Sequence, residues 1–369
     1  MFKSRVSGQF VLIPFKERCV QIVKPVLSVV LGLVLGLMVC KLAGEDPVNV
    51  LGILVRSAFG SKYDFGMTLF YTTPLVFTGL SVAFAFHAGL FNIGAEGQLA
   101  IGTLALVSVG AAFPHLSPWI APFLGVLASA IGGGLWGLVP GWLRARRGSH
   151  EVINTIMFNF IAAGLCSWVT LYLLRNPNSQ NPETDAVGVN YMIHQFGFFD
   201  SAPVSLAFLL AVGMAAGVWF ILWKTVLGFE IRAVGQSESA ARAAGIDAAH
   251  VRMIAMTIAG ALAGMVGVGE VLGHAGRFRL GFSPGYGFTG IAVALLGRNQ
   301  PLGIIASAFL FGALHKGTTD LDLETENVTR DFSLILQALV ILCVSADGVW
   351  SLLGERFQFL FRKKEKIHD

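Results

Sequence analysis

Ten apolar runs divide this chain, near residues 25–43, 67–87, 94–113, 118–140, 152–174, 202–223, 252–272, 285–297, 302–316 and 332–350. About 20 apolar residues are what a helix needs to cross the roughly 30 Å of hydrocarbon in a bilayer. So many such runs make the bilayer the solvent of the fold. In hydrocarbon every backbone N–H and C=O must be bonded inside the protein, which restricts spanning elements to helices or closed barrels. Runs of this length without strict alternation read as helices; the eighth and ninth are short. The charge content agrees, at 13% of 369 residues, against about 25% in an ordinary soluble domain. The expectation is an all-α integral membrane protein of about ten transmembrane helices. They form one domain over residues 25–350, between a basic N-terminus, 1–24, and a basic tail, 351–369.

Orientation follows from Lys and Arg. With the N-terminus inside, eighteen of the 26 fall on the cytoplasmic side, including Arg144, Arg146, Arg147 and those between Lys224 and Arg252. The loop bearing Asp320, Asp322, Glu324 and Glu326 is acidic, as an external loop can be under the positive-inside rule. Both termini are expected in the cytoplasm. Residues 46–62 are amphipathic enough to lie on the outer surface, and 175–200, rich in Asn and Pro, form a second outer segment. Cys19, Cys40, Cys166 and Cys343 have no CxxC spacing and read as buried thiols, with no metal site. No small-residue cleavage site follows the first apolar stretch, so the N-terminus is not read as a secretory signal.

Between the second and third runs, HAGLFNIGAEGQ (87–98) inserts glycines and polar groups where two spans meet. Irregular backbone at membrane depth survives only where protein covers it or where it lines a cavity. A weak echo, HAGRFRLG at 274–281, lies 187 residues later with five spans between. Five is odd, so the second copy faces the opposite side, the inverted-repeat arrangement with broken helices used around midplane sites in transporters. His87 and His274 sit at helix ends, where capping or a backbone hydrogen bond is favoured over proton transfer. The longest cytoplasmic loop, GFEIRAVGQSESAARAAGID (228–247), is small and punctuated. Ser237 or Ser239 is placed to cap a short helix over Ala240–Ala244, Gly245 to end it, and Gly235 to separate it from a turn bearing Glu230 and Arg232. It is either a docking platform or a solvated connector.

FNIGAEGQ, followed by HEVINTIMFNFIA (150–162), FEIRAVGQSESAARAAGI (229–246) and GYGFTGIAVALLG (285–297), resembles the permease subunits of bacterial ABC importers for nucleosides and simple sugars. The likeness is greatest to the larger permease of purine-nucleoside uptake systems, and it covers residues 65 to 350. Sugar permeases of the superfamily tend to carry an acidic GxDLS-type stretch where this chain has FNIGAEGQ, which favours nucleosides. The resemblance implies a cobalamin-permease-like importer core with two inverted repeats, about 65–174 and 252–350, joined by a coupling loop at 224–252. It implies an inner-membrane location, an ABC ATPase subunit, a second permease that is a different homologous chain, and an extracytoplasmic substrate-binding lipoprotein. Beyond the nucleoside and the surrounding membrane lipids no other partner is implied, and no nucleic acid. The loop residues Glu230, Ile231, Arg232, Gly235, Ala240, Ala241 and Gly245 would couple to the ATPase. His150, Glu151 and Asn154 would form a cytoplasmic gate.

The chain has no G-x-x-x-x-G-K-[ST] loop to cradle phosphates, so ATP-Mg belongs on the partner ATPase and no cofactor is expected here. Without H-E-x-x-H or G-x-S-x-G it presents no catalytic constellation. A nucleoside needs an aromatic platform for its base and neutral amides or a carboxylate for its edges and hydroxyls. Phe91, Asn92, Glu96 and Gln98 of the first break are the first candidates, and Phe278, Phe282, Tyr286 and Phe288 of the second the next. Each Phe has core packing as its alternative, and Glu96 has an N-cap role. Glu270 is placed to pair with Arg277 or Arg279 at an outer gate, or to reach the headgroups. Asn154 and Asn159, five apart, lie about 140° around a helix, so at most one faces the pathway squarely. Simple-sugar uptake is the alternative within the class. An ion-coupled secondary transporter is the alternative outside it, though the chain offers few buried carboxylates for an ion site.

Overall fold

Side-chain caps set the start of six helices. In a computed structural model describing residues 15–329 and 331–345, Asp46 accepts from Val48 N at 3.1 Å and Pro47 opens the second helix. Ser61 caps the third, Ser205 the seventh, Thr225 the eighth, Ser237 the ninth and Asp247 the tenth. Each supplies the oxygen that orphan N–H groups of a first turn require. The elements are α1 (Phe15–Leu42), α2 (Pro47–Phe59), α3 (Lys62–His87), α4 (Ala95–Ala112), α5 (Ala121–Arg147), α6 (Glu151–Trp168), α7 (Leu206–Lys224), α8 (Val226–Gln236), α9 (Glu238–Ala243), α10 (Ala248–Gly264), α11 (Tyr286–Leu296), α12 (Pro301–Gly317), α13 (Leu321–Glu324) and α14 (Phe332–Ser345). Wider π turns extend α6 over Val169–Leu173 and follow α10 over Val268–Ala275. Residues 1–14 and the tail 351–369 lie outside the described residues.

A helix stands on each of the ten apolar runs, and among the described residues six are long and apolar enough to cross a membrane: α3, α4, α5, α6 with its π turn, α7, and α10 with its own. The apolar part of α1, together with α2, α11 and α14, is shorter, α11 the shortest at 11 residues. As the amphipathic pattern of 46–62 predicts, α2 is one-sided: Val50, Ile53, Leu54 and Ala58 are buried while Val48 and Val55 are exposed.

The two halves of the chain interlock through glycine. Gly133, Gly137 and Gly141 repeat every fourth residue on α5, as do Gly260 and Gly264 on α10. A Cβ added at Gly133 would lie 2.8 Å from Gly264 Cα, and one at Gly137 3.1 Å from Gly260 Cα. Small residues at this spacing let helix backbones touch in a membrane, where dispersion rather than hydrophobic exclusion drives packing. Ser129 adds a 2.6 Å hydrogen bond to the carbonyl of Gly264.

Depth can be read along α3. His87 Nε2 meets the carbonyl oxygen of Asn299 at 3.0 Å, so the end of α3 and the end of α11 share a level. The 11 residues of α11 rise about 17 Å from there, roughly half of a 30 Å hydrocarbon core. Asn92 bonds Ser81, six residues back from His87, so the first break climbs about 9 Å before α4 begins. The second break descends from the other side. That flank is covered by 175–200, where Glu183 pairs with Arg279 and Gln195 with Ser205 as isolated bridges. Both HAG glycines turn left-handed, with φ +72° at Gly89 and +64° at Gly276, a conformation that costs glycine nothing.

Candidate functional site

The two breaks end against each other. A Cβ on Gly287 would lie 2.6 Å from Glu96 Cα, so the first turns of α4 and α11 are in backbone contact. Two positive dipole ends meet there with unpaired N–H groups. Ser283 Oγ accepts from Gly285 N at 3.2 Å and Tyr286 N at 3.0 Å, and Glu96 Oε2 accepts from Gly287 N at 2.7 Å. Glu96 therefore caps α11, from the other half of the chain, rather than its own helix.

Beside this junction is a cavity of about 210 Å³ lined by Glu96, Asn159, Ser167, Phe278, Phe282 and Ser283, among others. Three of the eight predicted pathway residues, Glu96, Phe278 and Phe282, reach it. Phe278 and Phe282 stand edge to face with centroids 5.4 Å apart. Phe278 is 2% exposed, which leaves Phe282 as the more available ring. Asn92 and Gln98 do not serve as free recognition groups. They bond each other reciprocally, Asn92 Nδ2 to Gln98 Oε1 at 2.8 Å and Gln98 Nε2 to Asn92 Oδ1 at 3.1 Å. Asn92 Oδ1 also takes Gly94 N at 3.1 Å. The pair spends its hydrogen-bonding capacity on closing the broken backbone, as a buried amide must. Phe91 packs edge-on against Phe86 at 5.2 Å, outside the cavity lining. Phe288 is exposed and outside the cavity lining.

Asn159, not Asn154, reaches this cavity. Its Oδ1 accepts from Gly97 N at 2.8 Å and its Nδ2 donates to the Ile93 carbonyl at 3.0 Å, tying α6 to both sides of the first break. Asn154 instead bonds Ser149 at 2.6 Å, and Glu151 pairs with Arg144 at 3.2 Å, so these two predicted gate residues staple the α5–α6 turn. His150 is exposed at the same turn.

Glu270 does not pair with either arginine. It accepts a hydrogen bond from the Tyr286 hydroxyl, deep between α10 and α11. The arginines belong to Glu183, 4% exposed, which binds Arg277 at 2.8 Å and Arg279 at 3.2 Å. The Ser179 hydroxyl and then the two guanidinium groups hold its carboxyl below the usual glutamate range, against the upward pull of burial. No pattern within 175–200 singles this glutamate out; only the placement of that segment over the second break reveals it.

In the loop between α7 and α10, Thr225 caps α8 and Ser237 caps α9, with Ser237 Oγ accepting from Ala240 N at 3.3 Å. Gly245 ends the platform at φ +84°. Gly235 is not a separator: it lies inside the last turn of α8, where an added Cβ would be 2.9 Å from the His87 carbonyl carbon. The platform therefore presses directly on the start of the first break. Ile231 and Ala241 are buried and anchor the platform from beneath, while Ala240 and Gly245 are exposed on it. Arg232 Nε turns back to the Gly228 carbonyl at 3.3 Å, and Glu230 is half-buried.

The sequence is similar to those of known proteins along most of its length. The chain is 34% identical over 340 residues to the guanosine ABC transporter permease of Bacillus subtilis (strain 168), covering 92% of this chain and 97% of that protein. A second guanosine ABC transporter permease of the same organism is 28% identical, over 72% of this chain and 82% of its own length. A glucose ABC transporter permease of Haloferax volcanii is 34% identical over 86% of this chain and 85% of its own. A family model described as the permease component of branched-chain amino acid transport systems matches residues 65–345. With an interlocked helical core, two breaks meeting inside it and a match over that whole span, the chain belongs to this family of membrane transport permeases.

Proposed function

We propose that this chain is the nucleoside-conducting permease of an ABC importer in the cytoplasmic (inner) membrane. One observation carries the reading: two helix N-termini from opposite halves meet at Glu96 and Gly287, beside a cavity walled by Phe278 and Phe282. That is how transporters with inverted repeats build a midplane site, and aromatic rings suit a base better than a bare sugar. Identity alone does not separate the two cargoes, because the guanosine and glucose permeases are equally similar; the aromatic walls favour nucleosides. The ten helices are read as a cobalamin-permease-type core with both termini in the cytoplasm. The contact of Gly235 with His87 supports α8 and α9 as the seat of a separate ATPase that binds ATP-Mg, because force applied there reaches the break directly. Likeness to two different guanosine permeases of one organism supports a second, non-identical permease as partner. An extracytoplasmic lipoprotein delivers cargo from outside.

In cells carrying the complete transporter, guanosine, adenosine and uridine should compete with labelled guanosine while free ribose does not. Base stacking on an aromatic ring is worth about 1–3 kcal/mol, so Phe282→Ala should lower uptake at limiting cargo roughly tenfold with the complex still assembled. Competition by ribose or glucose, with none by nucleosides, would give the chain to sugar transport instead.

A further inference from the structure

A larger cavity, about 300 Å³, lies on the opposite side of the 283–287 turn, among α3, α11, α12 and α14. Its walls differ in kind. One is aromatic, with Tyr71 and His315 edge to face at 4.5 Å and Tyr286 at the floor. The other is polar: Ser333 and Gln337, four residues apart, share one face of α14 and are 4% and 6% exposed. Gln337 Oε1 takes a long 3.4 Å bond from Thr289, and the Ser333 hydroxyl makes no hydrogen bond to any described residue. A hydroxyl on so buried a residue, with no partner among the described residues, is left to bond whatever fills the cavity. Asp331 is exposed at the rim, and no Lys or Arg among the described residues lines the cavity. A flat, neutral ring with hydrogen-bonding edges fits these walls. The volume sits at the lower end of ligand pockets, about 300–1,000 Å³, whereas the cavity beside Glu96 falls below it. Tyr286 at the floor adjoins Gly287, the residue that holds the Glu96 carboxylate.

We propose that this cavity is an outer-side subsite that holds the nucleobase of the cargo between Tyr71 and the Ser333–Gln337 face before the Glu96–Gly287 junction opens. The inference rests on the nucleoside reading above. It is tested on the reconstituted complex of both permeases, ATPase and lipoprotein by photolabelling with 8-azidoadenosine and by uptake kinetics. The label should enter α14 or the Tyr71 segment of α3, with protection by guanosine and not by ribose. Ser333→Ala and Gln337→Leu should each raise the half-saturating guanosine concentration about five- to tenfold, the effect of one neutral hydrogen bond, with maximal uptake retained. Tyr71→Phe should keep the site and Tyr71→Leu weaken it. Nucleoside uptake by the wild type with the label confined elsewhere would overturn the subsite and leave the parent reading standing, and the photolabelling decides this even if a variant fails to assemble. A wild type that carries glucose and no nucleoside would overturn both.

Discussion

Replacing Glu96 tests whether the two halves are joined at mid-membrane as described. Glu96→Ala removes the acceptor at 2.7 Å from Gly287 N and strands that N–H inside the core. Loss of a charge-assisted hydrogen bond with its buried partner left unpaired costs about 1.5–3 kcal/mol. Glu96→Gln keeps an acceptor in the same place but surrenders the charge, giving up about half of that bond and an interaction with the α11 dipole of about 0.3–1 kcal/mol. The losses should therefore rank wild type, Gln, Ala. In the purified permease complex, where 1 kcal/mol moves the midpoint by about 2–4 °C even in smaller proteins, Ala should melt roughly 2–6 °C low and Gln at an intermediate temperature. Guanosine uptake should follow the same order. Thermal scanning beside uptake decides the matter. Equal midpoints for all three proteins would mean that Glu96 does not hold α11, and the joined-break geometry would be wrong.

Other outcomes follow from other contacts. Gly260→Leu forces a side chain into the α5 backbone, where Gly137 Cα already lies 3.1 Å from a Cβ position; it should abolish accumulation in the membrane, measured by immunoblot, while Gly213→Leu, with nothing within 4 Å, should not. Gly235→Val would meet the His87 carbonyl, and overpacking of this kind costs about 1–3 kcal/mol; the complex should assemble yet hydrolyse ATP without cargo movement, and normal coupling would remove α8 from the transmission route. Glu183 titrates below the usual glutamate value. Its stabilising contribution is therefore complete above that usual value and is lost as pH falls through the depressed one. Glu183→Gln should flatten that acid limb of a pH–stability profile by lowering stability near neutrality, where the lost contribution is complete, and change little at acid pH; an unchanged limb would show that the ion cluster is not what titrates. Cysteines placed at Asn178 and Asp322 should react with an impermeant thiol reagent from outside, and labelling solely from the cytoplasm would reverse the topology.

Much of this arrangement was legible in the chain because membranes punish unsatisfied backbone. The apolar runs marked where helices stand, and Gly89 and Gly276 marked where two of them stop. The platform was legible too, since Ser237 and Gly245 are local capping signals. Less visible was anything set by contact between distant segments. Asn92 and Gln98 looked like recognition groups, yet the break they flank consumes them. Glu183 lies 94 residues from Arg277, so no local pattern pairs them, and the nearer Glu270 was the natural but mistaken partner. Asn159 and Asn154 were separated only by which one faced the break. The signal that sequence offered but that went unread was the fourfold glycine spacing of α5 and α10, which announces their close crossing.

The central claim is that this chain conducts nucleosides under power from a separate ATPase. Uptake of labelled guanosine into proteoliposomes holding both permeases, the ATPase and the lipoprotein measures it directly. The account predicts accumulation that requires ATP, survives ionophores that collapse proton and sodium gradients, and outpaces labelled glucose. Uptake driven by an ion gradient without ATP, or glucose accumulation with no guanosine, would contradict it.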